Sequence, residues 1–474
     1  MGFRREHDSL GEKDIPEEVY FGIQTQRALE NFPVSGIGPH PDFVRACAFL
    51  KIAAAHANRE LGLLEKKIAD AIIRAGHEVV EGKLLDQFVV DVFQAGAGTS
   101  HHMNVNEVLA NRAIELLGGN KGDYSIVHPN DHVNMGQSTN DVFPTAMRIA
   151  VWVSCENLIP VLKKLEKGFQ KKGKEFDSIV KSGRTHLQDA SPIRLGQEFK
   201  AYSRIINRAV SNIEEALESL KELSIGGSAV GTGLNTDPAY REKVVERLSE
   251  LTAFDFQVPQ DMREEMESMA PFVKFSGALK LLAIELTKIA NDLRLMSSGP
   301  KTGLSEINLP PVQPGSSIMP GKVNPVMAEA LNMVCFQVIG NDLTVSMAAQ
   351  AGQLELNVMM PVIIYNILYS IDILENILKV FTEKCLAGIT ANSERCRDYV
   401  EKSMGLAAAL NPHIGYEKAA EIAKEANRTG KTIRELLIEK KIFTKEQVDR
   451  ILDIRKMTEP GIPGKTKNHS EKKD

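Results

Sequence analysis

Four polar islands interrupt otherwise apolar stretches of the chain. The first is Gly96-Ala97-Gly98-Thr99-Ser100-His101-His102-Met103-Asn104, and the second is Gln137-Ser138-Thr139-Asn140-Asp141. The third is Ser182-Gly183-Arg184-Thr185-His186-Leu187-Gln188-Asp189. The fourth is Gly315-Ser316-Ser317-Ile318-Met319-Pro320-Gly321-Lys322-Val323-Asn324-Pro325. Three of them combine hydroxyls, amides and a cation close to a helix start, where free backbone N–H groups and the helix dipole favour an anion. Singly, each reads equally well as capping, because Ser, Thr and Asn precede helices for that reason alone. Together, with Lys322 and Arg184 available for carboxylates, they point to a site for a small anionic substrate.

Other clusters carry less. Gly226-Gly227-Ser228-Ala229-Val230-Gly231-Thr232-Gly233 follows a helical pattern rather than a strand, so it reads as a structural turn and not a nucleotide cradle. His128 and His132 lie four apart, but Pro129 between them favours a turn and nothing nearby completes a metal-ligand set. His101 and His102 sit inside the first island, where lining a site, capping and packing are all open readings. The Gly-x-Ser-x-Gly elbow of many hydrolases is absent from the sequence.

These islands need long elements to hold them. From Gln197 to Leu223, apolar residues at Phe199, Tyr202, Ile205, Ile206, Val210, Ile213, Leu217 and Leu220 step by three and four, as in one amphipathic helix. At 1.5 Å per residue such a helix is about 40 Å long. Similar patterns cover Pro144–Phe176, Pro271–Ser297, Pro325–Gly340 and Gln353–Cys385. Five such stretches with few strand-like alternations predict a mainly α protein built on an elongated helix bundle. Their apolar stripes exceed what one antiparallel neighbour covers, which favours a subunit interface over a wide internal core. Residues 299–325 hold six of the 21 Pro and four Gly, so this segment is an irregular loop of the kind that is usually functional. Shorter helices are expected at Tyr416–Ala426, Ile433–Glu439 and Lys445–Leu452, followed by a disordered Pro/Gly/Lys tail after Glu459.

Composition narrows the class further. A chain of 474 residues fits two to four domains at about 150 residues each. Hydrophobic residues at 43% and charged residues at 25% are ordinary for a soluble globular protein. The net charge of -5 offers no basic excess for nucleic acid. Five scattered Cys suggest reduced thiols in an intracellular setting rather than a disulfide framework or zinc site. No run approaches the roughly 18 consecutive apolar residues of a membrane span, and the charged start does not read as a signal peptide. Cytoplasmic residence is the expectation.

The fourth island, GSSIMPGKVNP, resembles the signature loop of the aspartase/fumarase superfamily, and the other islands match that family in order over nearly the whole chain. Gly98-Thr99-Ser100, Ser138-Thr139-Asn140 and the stretches 303–310 and 352–359 resemble the ammonia-lyase branch more than the hydratases. His186 and the 410–416 stretch are shared with hydratases, and two residues depart from the ammonia-lyase pattern: Met360 stands where Glu is common, and His102 where Asn is expected. The resemblance implies a three-domain, mainly α subunit: 1–138, a central bundle 139–392, and a small helical domain 393–474. It also implies a homotetramer with a twenty-helix core, each active site drawing on three subunits.

For the reaction, the resemblance implies reversible anti elimination of ammonia from L-aspartate to fumarate, with malate dehydration as the alternative. Ser316 is then the base and His186 and Lys322 act beside it. Thr99, Ser138, Thr139 and Ser317 hold the carboxylate on which charge builds. Thr185, Lys322 and Asn324 hold the other, Asn140 and His186 face the amino group, and Glu329 orients His186. The 315–325 loop acts as a lid. No cofactor or metal is implied, since the substrate's own carboxylate is the electron sink. The presence of Ser316, Lys322, Asn324 and His186 argues against a catalytically inactive structural homologue.

Overall fold

A computed structural model of the chain describes residues 2–465. Internal contacts divide it into two units. One comprises 1–160, 209–284 and 334–376, and the other 161–208, 285–333 and 377–474.

In the first unit the chain opens with an antiparallel hairpin, β1 (Phe3–Asp8) and β2 (Gly11–Pro16). The sequence hides this hairpin because β1 turns a charged residue, Glu6, inward, beside Ile15 of β2. The Glu6 carboxylate takes bonds from Arg4 Nε (2.7 Å), Ile23 N (2.9 Å) and Tyr124 Oη (2.9 Å), which removes the cost of burial. Helices α1 (Ile23–Asn31), α2 (Pro41–Glu60), α3 (Lys66–Val80) and α4 (Thr99–Leu116) follow. The first N–H groups around α1 are capped by buried Glu107, which accepts from Gly22, Gln24 and Thr25.

The five long helices are α5 (Thr139–Glu175), α6 (Leu195–Glu218), α9 (Ala270–Met296), α10 (Val326–Ala349) and α11 (Met360–Lys384), with the shorter α7 (Tyr240–Thr252) and α8 (Met262–Glu267) between. Each of the five contributes residues to both units. In the second unit Ser203 of α6 donates to Glu166 of α5 (2.7 Å), and Tyr202 of α6 to Asp292 of α9 (2.8 Å). There, Asn332 of α10 donates to Asn291 of α9 (2.9 Å), and Lys164 of α5 meets Glu383 of α11 (2.8 Å). In the first unit Asp342 of α10 accepts from Ser276 and Lys280 of α9, and Asn341 of α10 donates to Ser370 of α11. These pairs tie the five into the expected bundle. Phe143, Phe169, Phe199, Phe272, Phe275 and Phe381 are almost wholly buried among them, each contributing about 2 kcal/mol by leaving water.

Several ends differ from the sequence expectation. α5 starts at Thr139 rather than near Pro144, because Ser138 and Asp141 cap its start: Ser138 N donates to Asp141 Oδ1 (2.9 Å) and Ser138 Oγ accepts from Asn140 N (3.3 Å). α10 runs through Gly340, which here is no terminator, to Ala349. α11 starts at Met360 rather than Gln353, since Asn357 serves both flanking helices. Its Nδ2 donates to Ala348 O and Ala349 O, closing α10, while its Oδ1 accepts from Met359 N. By length and composition α5 and α11 pass as membrane spans, yet 61% and 56% of their apolar windows are buried inside the protein.

A second hairpin, β3 (Val180–Thr185) with β4 (Gln188–Arg194), lies in the second unit. Beyond it, Tyr416–Thr429, Ile433–Glu439 and Lys445–Ile451 pack around Leu406, Leu410, Leu436, Leu437 and Val448, the last two helices opened by capping boxes at Thr432/Glu435 and Thr444/Gln447. Of the tail expected to be disordered, 460–465 is placed, with His413 Nε2 2.8 Å from Pro463 O, and 466–474 lies outside the described residues. All five cysteines are buried and free of disulfides.

Candidate active site

The site residues fall into two groups, one in each unit. In the first unit Thr99 and Ser100 open α4 and line a cavity of about 730 Å³ together with Arg27, Met103, His128 and Asn130. The turn before them requires glycine: Gly98 has φ +86°, and an added Cβ would lie 2.0 Å from the Phe143 ring. Ser138, Thr139 and Asn140 stand half-buried at the start of α5. The 226–233 cluster is a turn, as expected, and it holds this helix start in place. Asp141, wholly buried, accepts from Gly226 N (3.1 Å) and Ser228 N (2.8 Å), and burial pushes its carboxyl up to about 7. Asn140 Nδ2 donates to Ala229 O (2.8 Å), which leaves its Oδ1 as a free acceptor.

Behind Thr139 lies a buried polar chain that the sequence reading missed. Thr139 Oγ1 is 2.7 Å from His102 Nδ1, and His102 Nε2 is 2.8 Å from Lys51 Nζ. Lys51 also donates to Asn134 Oδ1 (3.0 Å) and Gln137 Oε1 (2.9 Å). Burial pushes Lys51 down to about 7 and His102 well below the usual imidazole range. Lys51 had one signal in the sequence: a lone charge flanked at helical spacing by Cys47, Ala54 and Ala55, all buried. His101, by contrast, packs against Phe43 and is held neutral by burial, near 4. Met360 is fully buried.

In the second unit the β3–β4 turn presents Thr185 and His186, both exposed. His186 and Leu187 adopt φ +55° and +60°, the mirror-image turn that joins tight hairpins, here without glycine. Arg184 is a correction to the sequence reading: it is not available for a substrate carboxylate. Its Nη1 is 2.8 Å from Oε1 of wholly buried Glu306, which also meets Lys181 at 3.0 Å. The fourth island is an open loop pinned at its base. Gly315 N donates to Lys322 O (2.8 Å), and Asn324 Nδ2 donates to Gly315 O (2.6 Å). A Cβ on Gly315 would lie 2.5 Å from Lys322 O. Within the loop, Ser316 Oγ accepts from two backbone amides, Ile318 N (3.2 Å) and Met319 N (3.0 Å). Ser317 and Lys322 are exposed, and Ser316, Asn324 and Glu329 half-buried. Within the chain no hydrogen bond joins His186 to Glu329 among the described residues.

His128 and His132 are local caps: His128 Nδ1 accepts from Asn130 N and Asp131 N, and His132 Nδ1 from His128 N (2.9 Å). Among the described residues no cluster of three or more His, Cys, Asp or Glu is arranged to hold a metal.

A long-helix bundle bearing a serine loop and hydroxyl-rich helix starts suits a small anionic substrate. Residues 11–340 match the lyase family and 406–459 the family of fumarase C C-termini. The chain belongs to this family, the aspartase/fumarase superfamily of lyases. It is 53% identical over 462 residues to an aspartate ammonia-lyase from Bacillus sp, covering 98% of this chain and 99% of that one. A crystal structure described as fumarate lyase:delta crystallin from Brucella melitensis bound to cobalt superposes with a TM-score of 0.94 at 50% identity, covering 97% and 100% of the two chains. The class II fumarase from Schistosoma mansoni gives 0.93 at 39% identity, covering 96% and 99%.

Proposed function

We propose that the chain is a carbon–nitrogen lyase, an aspartate ammonia-lyase that eliminates ammonia from L-aspartate to give fumarate. The observation that carries the chemistry is the pair of backbone amides on Ser316 Oγ. A serine hydroxyl is a poor base at neutral pH, and amides at 3.0 and 3.2 Å are the donors its alkoxide needs. Ser316 takes the proton beside one carboxylate, giving an aci-carboxylate dianion. Thr99, Ser138, Thr139 and Ser317 hold that group, and Thr185, Lys322 and Asn324 the other carboxylate. Asn140 Oδ1, turned free by its amide's bond to Ala229, and His186 accept from the amino group. Glu329 orients His186, and the 315–325 loop closes as a lid. The reaction draws on no cofactor or metal.

The choice of aspartate over malate is supported by the full-length identity to the Bacillus ammonia-lyase. By the family resemblance, the active site is assembled between subunits of a homotetramer. On α10, Met333, Phe336, Leu343 and Met347 are each more than half exposed at the spacing of a helix seam, with Gly340 completing it. A second copy of the chain covers this stripe. The enzyme is cytoplasmic, acting on a small dicarboxylate with no nucleic-acid or membrane partner.

Ser316→Ala tests the base. Turnover falls about 100-fold or more while the oligomer persists, as expected for loss of a general base. Retention of a tenth of the activity would remove Ser316 from that role.

A further inference from the structure

We infer that His102 and Lys51 are positioning residues that fix the direction of the Thr139 hydroxyl, turning its proton toward the substrate carboxylate. This rests on the reading above in which Thr139 holds that carboxylate.

The geometry sets the direction of each bond. Lys51 is wholly buried, and its Nζ has three partners: Asn134 Oδ1, Gln137 Oε1 and His102 Nε2. The two amides face Nζ with oxygen, because their nitrogens are engaged elsewhere. Asn134 Nδ2 donates to Gln137 O (3.2 Å), and Gln137 Nε2 donates to Val133 O (3.2 Å) and Met135 O (3.1 Å). An ammonium has three donors and no acceptor, and three acceptors satisfy it. His102 Nε2 is therefore the acceptor, the ring proton sits on Nδ1, and Nδ1–H donates to Thr139 Oγ1 at 2.7 Å. Thr139 then carries its own proton outward, with no other hydrogen-bond partner among the described residues. The other titratable groups against this chain are Cys47, His101 and Asp141.

This chain has its own way of supplying the donor. The family resemblance leads one to expect Asn at 102, and an Asn amide nitrogen occupies nearly the place of a His Nδ1. His keeps that donor and adds a second nitrogen that Lys51 can pin. Thr139 binds charge that grows in the transition state, so its misdirection costs turnover more than ground-state affinity.

Three single variants, one double variant and one structure test this. His102→Asn keeps a donor toward Thr139, and kcat for aspartate stays within about threefold of wild type. His102→Gln reaches toward Lys51 but loses the Nδ1 donor. Its kcat falls about tenfold or more, while the inhibition constant of succinate changes less than about threefold. Thr139→Val falls at least as far, and combining it with His102→Gln adds little, because coupled residues are not additive. A neutron structure of the wild type in crystals held below pH 7 shows deuterium on His102 Nδ1 and three on Lys51 Nζ. This measurement stands even where a variant does not fold. Deuterium on Nε2, full activity in a folded His102→Gln, or losses that multiply in the double variant would overturn the inference. If Thr139→Val alone left kcat unchanged, the assignment of Thr139 under the proposed function would fail instead, and the inference with it.

Discussion

At Asn140 the side-chain amide has its nitrogen committed to Ala229 O at 2.8 Å and its oxygen open. An ammonium carries three donors, so an open acceptor suits aspartate better than malate, whose hydroxyl has one. Asn140→Ala is expected to damage aspartate turnover strongly while leaving succinate inhibition nearly unchanged, since succinate lacks the amino group. Equal losses in both would make Asn140 a carboxylate ligand. At this scale residue types drew attention to the Ser316 loop and to the hydroxyls of Thr99, Ser138 and Thr139, whose roles belong to the proposal. The sequence misled at Arg184, whose partner Glu306 lies 122 positions away. It was silent on Lys51, because a partner set spread over residues 102, 134 and 137 forms no local pattern.

At the scale of elements, the long helices were legible because a three-and-four apolar spacing repeated over many turns admits one reading. Their ends were not, since an end is set by side chains acting across sequence, as Asn357 does between α10 and α11. The β1–β2 hairpin was illegible for a related reason: the inward residue of β1 is the charged Glu6, whose partners include Ile23 and Tyr124. The end of α5 offers a test with a sign. Lys200 and Arg455 hold the Asp177 carboxyl down to about 2, against an ordinary 3.8. A lowered folded-state value stabilises the protein above the ordinary value, and that gain is lost as pH falls through the folded one. The Tm gap between wild type and Asp177→Asn should therefore be full above about pH 5, shrink as pH falls, and vanish only below about pH 2. A gap that held constant to the acid end would mean that the ion pairs contribute nothing.

At the scale of the whole molecule, the exposed apolar stripe on α10 supports the proposed assembly of copies. Light scattering at micromolar concentration should give a tetramer, and Leu343→Asp, placing a charge in the stripe, should dissociate it with loss of activity. A monomeric wild type would contradict both the interface and the shared site. If the Ser316 and His186 of one site come from different chains, mixing Ser316→Ala with His186→Ala protein should restore partial activity after subunit exchange. The three-part division 1–138, 139–392 and 393–474 stands as a proposal about how the chain is organised, alongside the two contact units. The most direct measurement of what the protein does is the ultraviolet absorbance of fumarate when it meets L-aspartate and, separately, L-malate. A site built around acceptors for an ammonium should release fumarate from aspartate and discriminate against malate by about 10⁴-fold. Efficient release from malate with aspartate inert would make the protein a hydratase and contradict the assignment.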